Sequence, residues 1–334
     1  MKKLFIMGLA AMGLALTACN SDETVEMAKG NAIGFKTFVN NSTRGIDDDI
    51  TKDNIKEFKV WGLMNKGGQT GQTGTPFNGT VVNKGDNGWS YTTPVYWEKG
   101  YTYSFVALAP STAKYEFTAP KAVGTWGSLT FENETGVKDL LFAANNYGPA
   151  NWEGNKCPGA VNMQFNHMLS RVRFNFVNGM NDGSTLSVKN VKITNAYSKA
   201  TATLGENLES LVWSDQNTPA EMAFGNALTE GFAQNANGTT DHKYLIPAVA
   251  EDLTVTFTVV RAHNGVVDEY KHEVKIEKQT LLAGNSYQFS ATFDNTNIKP
   301  NEKLCQIQFT ATVADWGTTW PDNALVVKKP AAGN

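Results

Sequence analysis

RVRFNFV, residues 171–177, sets the reading of the whole chain: Val172, Phe174 and Phe176 fall on one side of an extended strand, and Arg171, Arg173 and Asn175 on the other. A two-residue period of apolar and polar side chains marks a strand with one face in a core and the other in water. On that reading Arg171 and Arg173 lie on a wet face, where cross-strand pairing is their ordinary use. The period recurs along the chain. In YTYSFVAL (101–108), Tyr101, Tyr103, Phe105 and Ala107 alternate with Thr102, Ser104, Val106 and Leu108. In LTVTFTVV (253–260), Leu253, Val255, Phe257 and Val259 stand opposite three threonines. HEVKIE (272–277), SYQFSATF (286–293) and CQIQFTATV (305–313) repeat it. Turn signals at Gly67-Gly68, Asp86-Asn87-Gly88, Asn181-Asp182-Gly183 and Asn264-Gly265 separate the runs. No long 3.6-residue period appears, and only residues 206–213 suggest a short helix. The expectation is an all-β protein of antiparallel sandwiches.

A chain of 334 residues is long enough for two domains with cores of their own. YGPANWEGNKCPGAVN (147–162) gathers Gly, Pro and Asn without alternation, which places the boundary near 150–162. Residues 31–155 then form an N-terminal sandwich and residues 162–316 a second one. Residues 317–334 are a C-terminal appendix with a short apolar strand.

At the other end, Lys2 and Lys3 precede an apolar run at 4–16, too short to cross a bilayer as a permanent helix and built like a secretion signal. Leu16-Thr17-Ala18-Cys19 resembles the lipobox of bacterial lipoproteins, where cleavage before the cysteine frees it for acylation. Residues 1–18 are then a signal peptide and residues 19–30 a tether. The tether opens with the acidic Asn20-Ser21-Asp22-Glu23, similar to surface-export signals of some anaerobic Gram-negative bacteria. The Cys19 thiol carries a diacylglyceryl group and its freed amine a third acyl chain. Each buried methylene contributes about 0.8 kcal/mol, so several chains anchor firmly. The expected location is the outer membrane, facing outward. Losing residues 1–18 removes two lysines and no acid, taking the net charge from −3 to −5. That balance argues against nucleic acid, which needs a concentrated basic face.

Residues with chemistry to offer do not converge. His167, His242, His263 and His272 fall in no metal-binding pair, and no GxSxG, P-loop or GxGxxG motif occurs. Asp47-Asp48-Asp49 lacks the calcium-loop spacing and reads as a solvated run. His167, ahead of an alternating strand, reads as a packed core histidine. Cys157 and Cys305 are either a disulfide or two separate thiols, since no spacing motif decides. The eight tryptophans are either core packing or a sugar platform. No enzyme, cofactor or metal site is expected.

FNHMLSRVRFNF (165–176) resembles the signature strand of the fimbrillin family, whose members build type V pili on anaerobic Gram-negative bacteria. VYWEKGYTYSFVALAP (95–110), DLLFAAN (139–145), YLIPAV (244–249), LLAGNSYQFSATF (281–293) and VADW (313–316) follow in family order. The resemblance implies two tandem transthyretin-like sandwiches and assembly by strand exchange. It implies that a trypsin-like protease cuts between Arg44 and Gly45 in the exposed loop NNSTRGIDDD. The first strand, with Ile33, Phe35, Thr37 and Val39 facing one way and Lys36 the other, would be removed. A neighbouring subunit would fill the groove with NALVVKKP (323–330), through Leu325 and Val327 or Ala324 and Val326. An anchor subunit would keep its lipid and first strand. The implied partners are other fimbrial subunits, the membrane, the processing protease and a host or bacterial surface receptor. The alternative is a surface glycan-binding lipoprotein of a nutrient-uptake system, with an exported enzyme third.

Overall fold

The computed structural model describes residues 32–39, 49–51, 53–67, 74–216, 218–300, 307–316 and 320. Among these residues, twenty strands and two short 3-10 turns make up the regular structure, and the turn at Leu208–Ser210 occupies the expected helical stretch. A seven-stranded sheet runs in the order β1 (Phe35–Val39), β9 (Val161–His167), β8 (Leu141–Tyr147), β5 (Tyr101–Ala109), β2 (Glu57–Lys66), β3 (Gly74–Gly85) and β4 (Gly88–Ser90). A small sheet follows the order β13 (Val212–Ser214), β12 (Lys199–Thr203), β7 (Ser128–Glu132) and β6 (Tyr115–Thr118). The C-terminal sandwich has one sheet of β15 (Asn237–Thr239), β10 (Ser170–Asn178), β19 (Asn285–Phe293) and β20 (Thr310–Asp315), with β16 (Lys243–Leu245) also on β10. Its other sheet is β14 (Pro219–Phe232), β11 (Thr185–Tyr197), β17 (Ala248–His263) and β18 (Val266–Leu281).

The all-β sandwich architecture agrees with the two-residue period of the sequence. Asn264-Gly265 turns β17 into β18 with both residues at positive φ (49° and 78°), the conformation a two-residue hairpin loop demands. Pairing is antiparallel except between β1 and β9 and between β10 and β19. Strands also cross the loop between β8 and β9: β9 pairs with β1 and β8, β12 pairs with β7, and β13 joins the same small sheet through β12.

Two strands overturn the expectation of one wet face. In β5, Phe105 and Ala107 enter one core cluster while Val106 and Leu108 enter another. The small sheet covers the side that alternation alone assigns to water. In β10, Val172, Phe174 and Phe176 line the C-terminal core as expected, but Arg171 and Asn175 on the opposite face are buried too and Arg173 is half-buried.

His272 points inward from β18 and stacks on Phe257 at 5.2 Å between ring centres. Burial holds its pKa below the ordinary 6.5, partly offset by a hydrogen bond to the backbone of Ile298. A histidine with a depressed folded-state pKa contributes stability that is complete above the unfolded value and is lost as pH falls. Thermal stability should therefore decline below about pH 6.5. The decline should be shallower in His272→Gln, as melting curves of both proteins between pH 7.5 and 5 would reveal.

Candidate functional site

The leading segment closes the seven-stranded sheet on itself. β1 lies at one end and runs parallel to β9, with Phe35 opposite Val161 and Val39 opposite Phe165. Just before β1 the chain reaches the other end of the sheet, where residues 91–96 follow β4. There the Ile33 amide donates to the Val95 carbonyl at 2.8 Å, the Tyr91 hydroxyl donates to the Ile33 carbonyl at 2.7 Å, and Ala32 forms a β-bridge with Tyr96.

The inward side of this segment is core. Ile33 and Phe35 have no exposed surface and Val39 is 8% exposed, whereas Phe38 is 37% exposed. Thr37 and Lys36 are half-buried. The Phe35 ring meets Phe77, Phe58, Tyr91 and Phe105 edge-on at 5.4, 5.7, 5.9 and 6.3 Å. Parallel pairing is slightly weaker per residue than antiparallel, and β1 is only five residues long. Side chains, more than ladder hydrogen bonds, hold it in place.

A second constellation gathers on the supposedly wet face of β10. Asp49, expected in a solvated run, is buried; Asp47 and Asp48 lie outside the described residues. Its Oδ2 accepts from Arg171 Nη1, and its Oδ1 accepts from the Tyr244 hydroxyl at 2.8 Å. His242 Nε2 lies 3.7 Å from Oδ1 and 3.2 Å from the Tyr244 hydroxyl. A tight turn presents the carboxylate: Asn54 Nδ2 donates to the Asp49 carbonyl at 2.7 Å, and Asn54 Oδ1 accepts from the Thr51 amide at 2.6 Å. Arg171 Nε donates to Ser286 Oγ at 3.1 Å, and its Nη2 meets no acceptor among the described residues.

The guanidinium of Arg171 lies over Trp320 at 4.3 Å and Trp316 at 5.4 Å, and that of Arg173 lies over Trp320 at 4.2 Å. Gln288 Oε1 accepts from Arg173 Nε at 2.7 Å. Trp316 stacks on His167 at 4.2 Å and parallel to Tyr244 at 5.4 Å. His167 is the packed core histidine expected from sequence, its Nδ1 2.7 Å from Asp139 Oδ2.

Burial lowers the pKa of Arg171, and Asp49 opposes that shift. Arg173 is brought down to about 10 by burial and by the Arg171 charge. Burial, with Asp139 and Asp49 nearby, pushes the Tyr244 phenol well above its ordinary range, so it keeps its proton and donates it to Asp49. The cluster joins five distant stretches of chain around one charge pair.

A family model described as fimbrillin-like matches residues 43–316. The chain belongs to the fimbrillin-like family. The crystal structure of a fimbrial protein from Bacteroides vulgatus superposes with a TM-score of 0.61 at 16% identity, covering 86% of this chain and all of that one. A candidate cell adhesion protein from Parabacteroides distasonis gives a TM-score of 0.49 at 11% identity, covering 93% of this chain and 96% of that one. At such identities the likeness to the first is one of fold. No curated protein matches the chain.

Within this fimbrillin-like chain Ile33, Phe35, Thr37 and Val39 have the placements given above. Cys19, Arg44, Gly45, Cys305 and the stretch Ala324, Leu325, Val326 and Val327 lie outside the described residues. Cys157 is half-buried against the N-terminal core. Each of the eight tryptophans is buried or half-buried, Trp61, Trp152 and Trp213 being the half-buried ones. Sequence reasoning missed the pairing of Asp49 with Arg171. Their separation of 122 residues leaves no local signal, and alternation gives Arg171 the same face as Arg173 and Asn175, with nothing to mark it out.

Proposed function

We propose that this chain is a structural or adhesive subunit of a surface fimbrium, exported as a Cys19-lipidated precursor and assembled by protease-triggered strand exchange. The observation that carries this reading is the leading segment, which lies at a sheet end, seams both ends together and fills the core with Ile33, Phe35 and Val39. Fully burying side chains of this kind contributes about 1.5–3 kcal/mol each. Cleavage between Arg44 and Gly45 disconnects the segment from the body of the protein. Its departure exposes apolar surface and two unpaired edges, a template for another strand. An extended apolar donor restores both, and residues 323–330 of a neighbouring subunit supply Ala324 and Val326 or Leu325 and Val327. Polymerisation then follows from refilling the groove, with other fimbrial subunits as partners.

Trypsin treatment of the purified precursor should yield a product beginning at Gly45, which then forms ladders stable in SDS. N-terminal sequencing and gel mobility give the readout. Arg44→Ala should abolish both, and ladders that persist unchanged in Arg44→Ala would refute the mechanism. Material extracted from the cell surface should begin at Cys19 as precursor or anchor and at Gly45 as processed subunit.

A further inference from the structure

We propose that the Arg171 cluster is a latch coupling Asp49, five residues after Arg44, to Trp320. This goes beyond the strand-exchange reading, and the coupling exists in the uncleaved monomer whatever the fate of Arg44.

Trp320 is 7% exposed and has two guanidinium groups, those of Arg171 and Arg173, over its ring. Two cations close together on one buried indole are stable only with an anion at hand, and the carboxylate paired with Arg171 is that of Asp49. Arg173 has a neutral partner in Gln288, and Arg171 has Ser286 besides Asp49. When Asp49 leaves, Arg171 is left charged and buried beside Arg173, and the guanidinium must turn toward water. That movement removes the platform under Trp320. In the other direction, losing Trp320 uncovers Arg171 to water and weakens the low-dielectric attraction that holds Asp49. Trp316, stacked on His167 and Tyr244, has partners besides Arg171 and stays when Trp320 goes.

The coupling is reciprocal because it is a difference in binding free energy between two sites. In the intact chain Asp49 has two tethers, the covalent chain leading back to Arg44 and the turn closed through Asn54. A cut between Arg44 and Gly45 removes the first tether. The latch therefore connects a cut after Arg44 to the seating of Trp320.

The test uses the full, uncleaved chain with 5-fluorotryptophan incorporated, the Trp320 fluorine line being assigned by its absence in Trp320→Phe. In Asp49→Asn, which keeps the shape and removes the charge, this line should move to the position of a solvent-exposed indole. In Trp320→Ala, amide exchange across residues 49–55 should accelerate about five-fold or more, with β2 and β5 unchanged. A Trp320 line that stays in place in Asp49→Asn overturns the latch. So does exchange at 49–55 that is unaltered in Trp320→Ala, or that rises only in step with β2 and β5. Where Asp49→Asn does not fold, the Trp320→Ala arm decides alone.

Discussion

Phe35→Ala is expected to destabilise the protein by about 3–5 kcal/mol, the range for deleting a buried aromatic ring. Phe35 has no exposed surface, and its ring touches Phe58, Phe77, Tyr91 and Phe105, which come from three strands of the sheet and the loop after β4. None of those rings can follow into the space, because Phe58, Phe77 and Phe105 are fixed by their strands and Tyr91 by its hydrogen bond to the Ile33 carbonyl, so a cavity remains. A loss of this size is a large share of a domain's usual stability of about 5–15 kcal/mol. Thr37→Ala, on the same strand but half-buried, should change stability far less. Chemical denaturation of the three proteins measures the difference. Comparable small losses for both variants would mean that β1 rests on the sheet without being part of its core, and the strand-exchange reading would lose its energetic basis. If the reading holds, Phe35→Ala should also shed the segment more readily after trypsin, with faster growth of SDS-stable ladders.

The parts of this fold legible in the sequence are those where one residue's neighbours along the chain determine its surroundings. Val172, Phe174 and Phe176 show their period of two locally, and all three are in the core; Ile33, Phe35 and Val39 behave alike. The failures share a cause. Alternation reports which side a residue is on and not what covers that side. Alternation alone places Val106 and Leu108 in water, because nothing near residue 106 announces that β7 and β12 lie over them. It places Arg171 there for the same reason, since its neighbours Asp49 and Tyr244 are separated from each other by 195 residues. The triple aspartate looked solvated because a charge run ordinarily is, and only the buried arginine distinguishes its last member.

Asp49→Ala is expected to lose about 3–5 kcal/mol, since removing one partner leaves the Arg171 charge buried without compensation. Tyr244 would also lose its acceptor, and an unmet buried donor costs about 1–3 kcal/mol. Replacing both charges tells a different story. In Asp49→Leu/Arg171→Met no charge is stranded, and a well-packed apolar pair in place of a buried ion pair is often neutral or even stabilising. The double variant should therefore be more stable than either single one, with a large coupling term in a double-mutant cycle. High salt should change little, because buried pairs are screened far less than exposed ones. Additive losses in the cycle, or a double variant worse than both singles, would mean that the pair is not the organising interaction of this face. Arg171 would then owe its place in the signature strand to its contacts with Trp316 and Trp320 alone.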